Sequence, residues 1–183
     1  MKRKEFLSKT LQLGVTSGSM LLLAGGKATA CTSGPARQDQ QDRDQEFLEH
    51  WMTTLMELLE QQLNEDQRNA LMHSCGRACA RREAIGLAAR FAGDVKGMVE
   101  NFAQNMGGPE RIFLDANTVH MDFDGCFCPL VDEGPEVLPD TFCECSKGWM
   151  LEMFETAAQK PVQVEILQTV RRGDPTCGFL IHV

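Results

Sequence analysis

Between Glu46 and Leu63 the apolar residues Phe47, Leu48, Trp51, Met52, Leu55, Leu58 and Leu59 recur at three- and four-residue intervals, with Glu49, Glu57 and Glu60 opposite them. That period predicts an amphipathic helix. Asn64-Glu-Asp-Gln67 reads as a break and a new cap, after which the pattern resumes through Leu71, Met72, Cys75 and Cys79 to about Arg82. A third helical stretch is expected from Glu83 to Ala92, and a fourth from Asp94 to Met106, stopped by Gly107-Gly108-Pro109. The period then shortens to two. Val119, Met121 and Phe123 alternate with His120, Asp122 and Asp124, as in a half-buried strand. A further helix carries Trp149, Met150, Met153 and Phe154 and is ended by Pro161; Val162, Val164 and Ile166 then open another strand. The turn Arg172-Gly-Asp-Pro175 leads into a closing strand whose Cys177, Phe179, Ile181 and Val183 share one face. N-terminal helices followed by an antiparallel sheet with one inserted helix predict a single α+β domain over residues 46–183.

The chain ahead of that domain has a different grammar. Lys2, Arg3, Lys4 and Lys9 precede an apolar stretch from Leu11 to Ala24 that is diluted by Gly14, Thr16, Ser17, Gly18 and Ser19. A membrane-spanning helix needs about 20 consecutive apolar residues, so this one is too short for a permanent anchor. Small residues follow at Ala28-Thr29-Ala30, and the order basic, apolar, small predicts an export signal over residues 1–30. Arg3-Lys4-Glu5-Phe6-Leu7 resembles the twin-arginine export motif, with lysine at the second arginine position; general secretion is the alternative route. Ala28-Thr29-Ala30-Cys31 resembles a lipoprotein box, which makes Cys31 the candidate for lipidation and the only expected attachment to a membrane; an unpaired thiol beyond an ordinary cleavage site is the other reading. Residues 31–45 contain no large apolar side chain and are expected to be a disordered tether. The expected location is the periplasm or cell envelope.

The chain carries 18 Lys and Arg against 26 Asp and Glu, a net charge of −8, and the part behind the basic leader is more acidic still. Such a surface repels phosphate backbones, which argues against a nucleic-acid partner.

The cysteines bring in chemistry. Seven fall in the domain: Cys75 and Cys79, Cys126 and Cys128, Cys143 and Cys145, and Cys177. Cys75 and Cys79, four apart, face the same way on a helix. Each Cys-x-Cys pair can offer two thiolates to one ion from a strand or tight turn. Three readings stand. Thiolates of Cys126, Cys128, Cys143 and Cys145, completed by Cys75, Cys79 or Cys177, could hold zinc or an iron–sulfur cluster, since soft sulfur ligands select these metals. In an oxidising compartment the cysteines could instead form disulfides, with cross-pairing of the two Cys-x-Cys segments least strained; that would make an envelope protein without catalytic activity. Or Cys177, and Cys75 with it, could be buried apolar residues. His50 and His182 read as surface positions, His73 points away from Cys75, and His120 faces out or into a pocket. No Ser-His-Asp order, HExxH, phosphate loop or dinucleotide fingerprint is present.

Cys143-Glu-Cys145-Ser-Lys-Gly148-Trp149, Phe154-Glu155, Lys160-Pro-Val-Gln-Val-Glu165 and Gly173-Asp-Pro-Thr-Cys177-Gly-Phe-Leu-Ile181 together resemble the C-terminal half of 4-vinyl-reductase-type domains. They are also similar to 2-aminothiazoline-carboxylate-hydrolase-like families, while Cys75-Gly76-Arg77-Ala78-Cys79 resembles the Cys-Gly-Arg-x-Cys helix of an uncharacterised bacterial group. The resemblance implies a compact α+β domain that binds a small hydrophobic or tetrapyrrole-like molecule, with cysteines near the pocket able to hold metal. By position it places Gly148 and Trp149 at a helix start, and Cys177, Trp149 and His120 are the expected pocket residues. The expected function is therefore an exported small-molecule- or metal-binding domain. The alternative is a hydrolase or redox enzyme using metal-bound water or a reactive cysteine.

Overall fold

The computed structural model describes residues 35–126, 128 and 139–183. Residues 1–40 and 41–183 separate into two units, and the second holds the elements expected from the sequence. The export signal, Cys31 and most of the loop after Cys128 lie outside the described residues.

Helix α1 spans Pro35–Gln62. It starts well before Glu46, so residues 35–45, expected as a disordered tether, are helical. The reason is local. Pro35 suits a first helical turn, and Ala36, Arg37, Arg43 and the four glutamines that follow have good helix propensity, which outweighs the three aspartates. Propagation from an already packed helix then adds one hydrogen bond per residue without a new nucleus. Helix α2, Glu65–Glu83, begins at the expected cap. The Asn64 Oδ1 accepts from the Gln67 N–H at 3.0 Å, and the Asn64 N–H donates to Gln67 Oε1 at 3.1 Å. Helices α3 (Ile85–Arg90) and α4 (Val95–Met106) follow, the latter capped by Asp94 accepting from the Gly97 N–H.

Strands β1 (Ile112–Asp115), β2 (Thr118–Phe123), β3 (Gln163–Gln168) and β4 (Cys177–His182) form one antiparallel sheet in the order β1-β2-β4-β3. Helix α5, Glu144–Ala158, is inserted between β2 and β3. Strand β1 was not foreseen. It has four residues, and the adjacent apolar pair Phe113-Leu114 hides its alternation. Only the tight turn at Ala116, with φ of 51°, marks the hairpin.

The register places Val119 opposite Ile181, Met121 opposite Phe179 and Phe123 opposite Cys177. These residues line one face of the sheet and are buried against Met98, Val99 and Phe102 of α4 and Met150, Met153 and Phe154 of α5. This is a two-layer core of helices on one face of a sheet. A smaller cluster joins α1 to α2: Met56, Met72 and Phe142, with Met52, Leu59, Cys128 and Cys145 packed around them. Among the described residues no helix is long and apolar enough to cross a membrane.

Candidate thiol site

The site is built on the crossing of α2 and α5, which meet backbone to backbone. A Cβ on Gly76 would overlap the Cys145 carbonyl oxygen and stand 2.7 Å from the Trp149 nitrogen. A Cβ on Gly148 would overlap the His73 carbonyl and stand 2.6 Å from the His73 Cα. Gly148 therefore lies inside α5, not at a helix start as the resemblance implied, and its lack of a side chain is what the neighbouring helix requires. The Gly between Cys75 and Arg77 does the same work from the other side.

Ion pairs clamp the crossing. Arg77 donates to both Glu152 (3.0 Å) and Glu155 (2.6 Å) of α5, Arg81 donates to Glu152 (2.7 Å), and His73 Nε2 lies 2.7 Å from Glu144 Oε2. The Arg81 guanidinium, followed by that of Arg77, holds the Glu152 carboxyl below the usual carboxylate range. A carboxyl depressed in the folded state adds stability above its unfolded pKa, and that stability is lost as pH falls through the folded value. Glu152→Gln should thus cost about 1 kcal/mol at pH 7. The gap to the native chain should close in acid, below the ordinary value of 4.5. Urea unfolding midpoints at neutral and acid pH check this; a gap that persists unchanged in acid contradicts it.

Among the described residues, none of the seven domain cysteines is joined in a disulfide. The crossing sorts them into two groups. Cys75 and Cys79 stand exposed on α2, one turn apart, beside the point where Gly76 touches the Cys145 carbonyl. Cys145 and Cys128 both pack on the Met56, Met72 and Phe142 cluster. Burial pushes the Cys145 thiol up to about 12, reinforced by the charges of Cys128, Cys75, Cys79 and Cys143. Cys145 is thus a half-buried thiol within electrostatic reach of Cys75, Cys79 and Cys128.

The second group lines a small pocket with about 20 Å3 of room, enough for one water. Its walls include Cys126, Cys128, Cys143, Cys177, Thr169 and Arg171. Two short 3-10 turns hold it together. The first, Asp140–Cys143, carries Phe142 and Cys143; the second, Val170–Arg172, follows β3. Arg172 Nε pairs with Asp140 at 3.3 Å and joins them. Thr169 is fully buried; its N–H donates to Asp174 and its Oγ1 accepts from the Arg172 N–H.

Cys177 Sγ accepts from the Val170 N–H at 3.5 Å. The hydrogen bond from Cys177 lowers the Cys126 thiol to about 6, helped by the Cys128 N–H and the Arg171 charge against the opposing effect of burial. The shared proton and then burial push Cys177 up. Burial also raises Cys143, which the Thr169 hydroxyl partly offsets.

Of the expected pocket residues, Cys177 lines this pocket. Trp149 does not: its ring packs edge-on against Phe102 in the core. Nor does His120, which stacks on Phe113 at 4.6 Å on the other side of the sheet. The structure adds Thr169 and Arg171, which no sequence motif marked. Their only sequence signal is nearness to the Arg172-Gly-Asp-Pro175 turn. Among the described residues no three His, Cys, Asp or Glu side chains are gathered in metal-holding geometry.

The model of a family of unknown function, DUF6144, matches residues 27–183. The chain belongs to that family. No curated protein matches it.

Proposed function

We propose that this DUF6144 member is an exported soft-metal-binding domain in which Cys75, Cys79, Cys128 and Cys145 are the thiolate ligands of zinc or an iron–sulfur cluster. One observation carries the reading: Cys75 and Cys79 of α2 and Cys128 of the segment after β2 all lie near enough to the half-buried Cys145 to act on its thiol, although their side chains are not gathered in metal-holding geometry in this structure. The donor set fits such a group, because all-sulfur sites select zinc and iron–sulfur clusters. The fit requires closure. Cys75 and Cys79 are exposed, so rotation about their Cα–Cβ bonds is unhindered by packing, whereas Cys145 is held by the helix contact beneath it. A bound zinc would tie the segment after β2 to both helices; a cluster would add one-electron chemistry. Export is the expectation from the leader, and a twin-arginine route would deliver the domain already folded.

The test is elemental analysis and an absorption spectrum of full-length protein purified without oxygen. Stoichiometric zinc or iron is expected, and Cys75→Ser/Cys79→Ser should lose it. Metal-free protein that also takes up neither zinc nor iron on reconstitution refutes the proposal.

A second reading rests on the pocket, where Cys126 and Cys177 are hydrogen-bonded to each other next to Arg171. They could act as a dithiol that gives up two protons and two electrons to a small disulfide, releasing it as two thiols. Thiol titration of Cys126→Ser and Cys177→Ser after mild oxidation separates the two readings.

A further inference from the structure

Helix α1 has two apolar seams, and among the described residues only one of them is packed against the domain. Met52, Met56 and Leu59 turn inward onto Met72 and Phe142. On its outer side Leu48 is 59% exposed, Trp51 55%, Leu55 38% and Leu58 49%, with Phe47 beside them at 66%. These are bulky side chains, and their spacing of three, four and three is that of the a and d positions that one helix presents to another. Solvation of a surface helix does not call for such a row. Scattered apolar residues are ordinary, but a contiguous stripe marks an interaction surface.

We propose that this seam is the contact between two copies of the chain, α1 against α1. Three features favour that occupant. The first is charge. In the frame set by Leu48 and Leu55, the flanking positions are Phe47, Thr54 and Gln61 on one side and Met52 and Leu59 on the other, all uncharged. Two acidic copies can therefore meet with their glutamates, Glu49, Glu57 and Glu60, directed away from the seam. The same glutamates argue against an anionic lipid surface, since Arg43 is the only Lys or Arg between residues 41 and 62.

The second feature is area. Five large side chains about half exposed offer on the order of 500 Å2 per copy, so a pair reaches the roughly 1,000 Å2 that a specific interface needs. The third is shape. In an antiparallel pair centred on Thr53, Trp51 of one copy meets Leu55 of the other and Leu48 meets Leu58, so each tryptophan faces a narrower leucine and the two tryptophans do not collide. A two-fold arrangement of this kind closes on itself and forms a dimer, not a fibre.

The experiment is light scattering on the full-length chain over a range of concentrations, with Trp51→Glu and Leu55→Glu as variants and Leu58→Ala as a milder one. The native chain should have the mass of two copies when concentrated and dissociate on dilution. Both glutamate variants should have the mass of one copy, with unchanged far-ultraviolet circular dichroism because the altered positions are exposed. Leu58→Ala should weaken association about tenfold. A native chain that stays at one mass throughout overturns the proposal. So do glutamate variants that remain dimeric, or a monomer that binds vesicles of mixed neutral and anionic lipid through Trp51. None of these outcomes depends on metal, so they do not bear on the thiol site.

Discussion

Gly76→Ala is expected to destabilise the domain by about 3 kcal/mol or more, which for a chain of this size lowers the thermal midpoint by roughly 10 °C. The added methyl would overlap the Cys145 carbonyl and lie 2.7 Å from the Trp149 nitrogen and 2.9 Å from the Cys145 carbonyl carbon. All three atoms are backbone of α5, so no side-chain rotation relieves the contact; the two helices must separate. Separation pulls Arg77 and Arg81 away from Glu152 and Glu155 and loosens the packing of Met150 and Phe154. Gly148→Ala should act in the same way, because its methyl would meet the backbone of His73. Gly86→Ala is the control. It lies in α3 with nothing within 4 Å of the new methyl, so the ordinary preference of a helix for alanine should stabilise it by about 0.5–1 kcal/mol. Chemical denaturation of the three variants checks the set. A Gly76→Ala protein as stable as the native one would mean that the helices do not meet as described.

Zinc should stabilise the reduced, metal-free protein by about 4 kcal/mol at a thousandfold excess over its dissociation constant, through mass action alone. A chelator should reverse the gain. The effect should be absent in Cys75→Ser/Cys79→Ser, which removes the two ligands on α2 and leaves the core untouched, because both side chains are exposed. It should shrink as pH falls, since thiols must release protons to bind and lower pH favours the protonated form. Thermal unfolding with and without zinc, at neutral and mildly acidic pH, measures all three. An equal gain in the double serine variant would move the ligands to the pocket group, Cys126, Cys143 and Cys177.

The sorting of cysteines in this prediction was not legible from spacing. Sequence proximity pairs Cys126 with Cys128 and Cys143 with Cys145, and each pair looks like a two-thiolate ligand to one ion. The fold splits the second pair and leaves Cys126 and Cys128 on one pocket. Cys126 and Cys143 line the pocket with Cys177, while Cys145 is absent from its walls and its thiol is acted on by Cys128, Cys75 and Cys79. Cys128 touches both groups, as a pocket wall and as a neighbour of Cys145. Residues two apart share a face in extended chain but take well-separated directions at a helix start, and Cys143 and Cys145 straddle the point where a 3-10 turn becomes α5. Likewise His120 was legible as a position off the core face, but only the pairing with β1 showed that Phe113 covers it.

Much was determined by the sequence alone. The change of period from helical to alternating placed the helices before the sheet, and the shared face of Cys177, Phe179 and Ile181 foretold that side of the core, because burial follows local periodicity. The break at Asn64 was readable to the residue, since a cap is made within four positions of chain. Tertiary structure alone decided why Gly76 and Gly148 must be glycine, which carboxylates Arg77 would meet, and which thiols would be neighbours. Those features depend on contacts between segments about 70 residues apart, and no local pattern encodes the distance between two helices or the direction in which one passes the other.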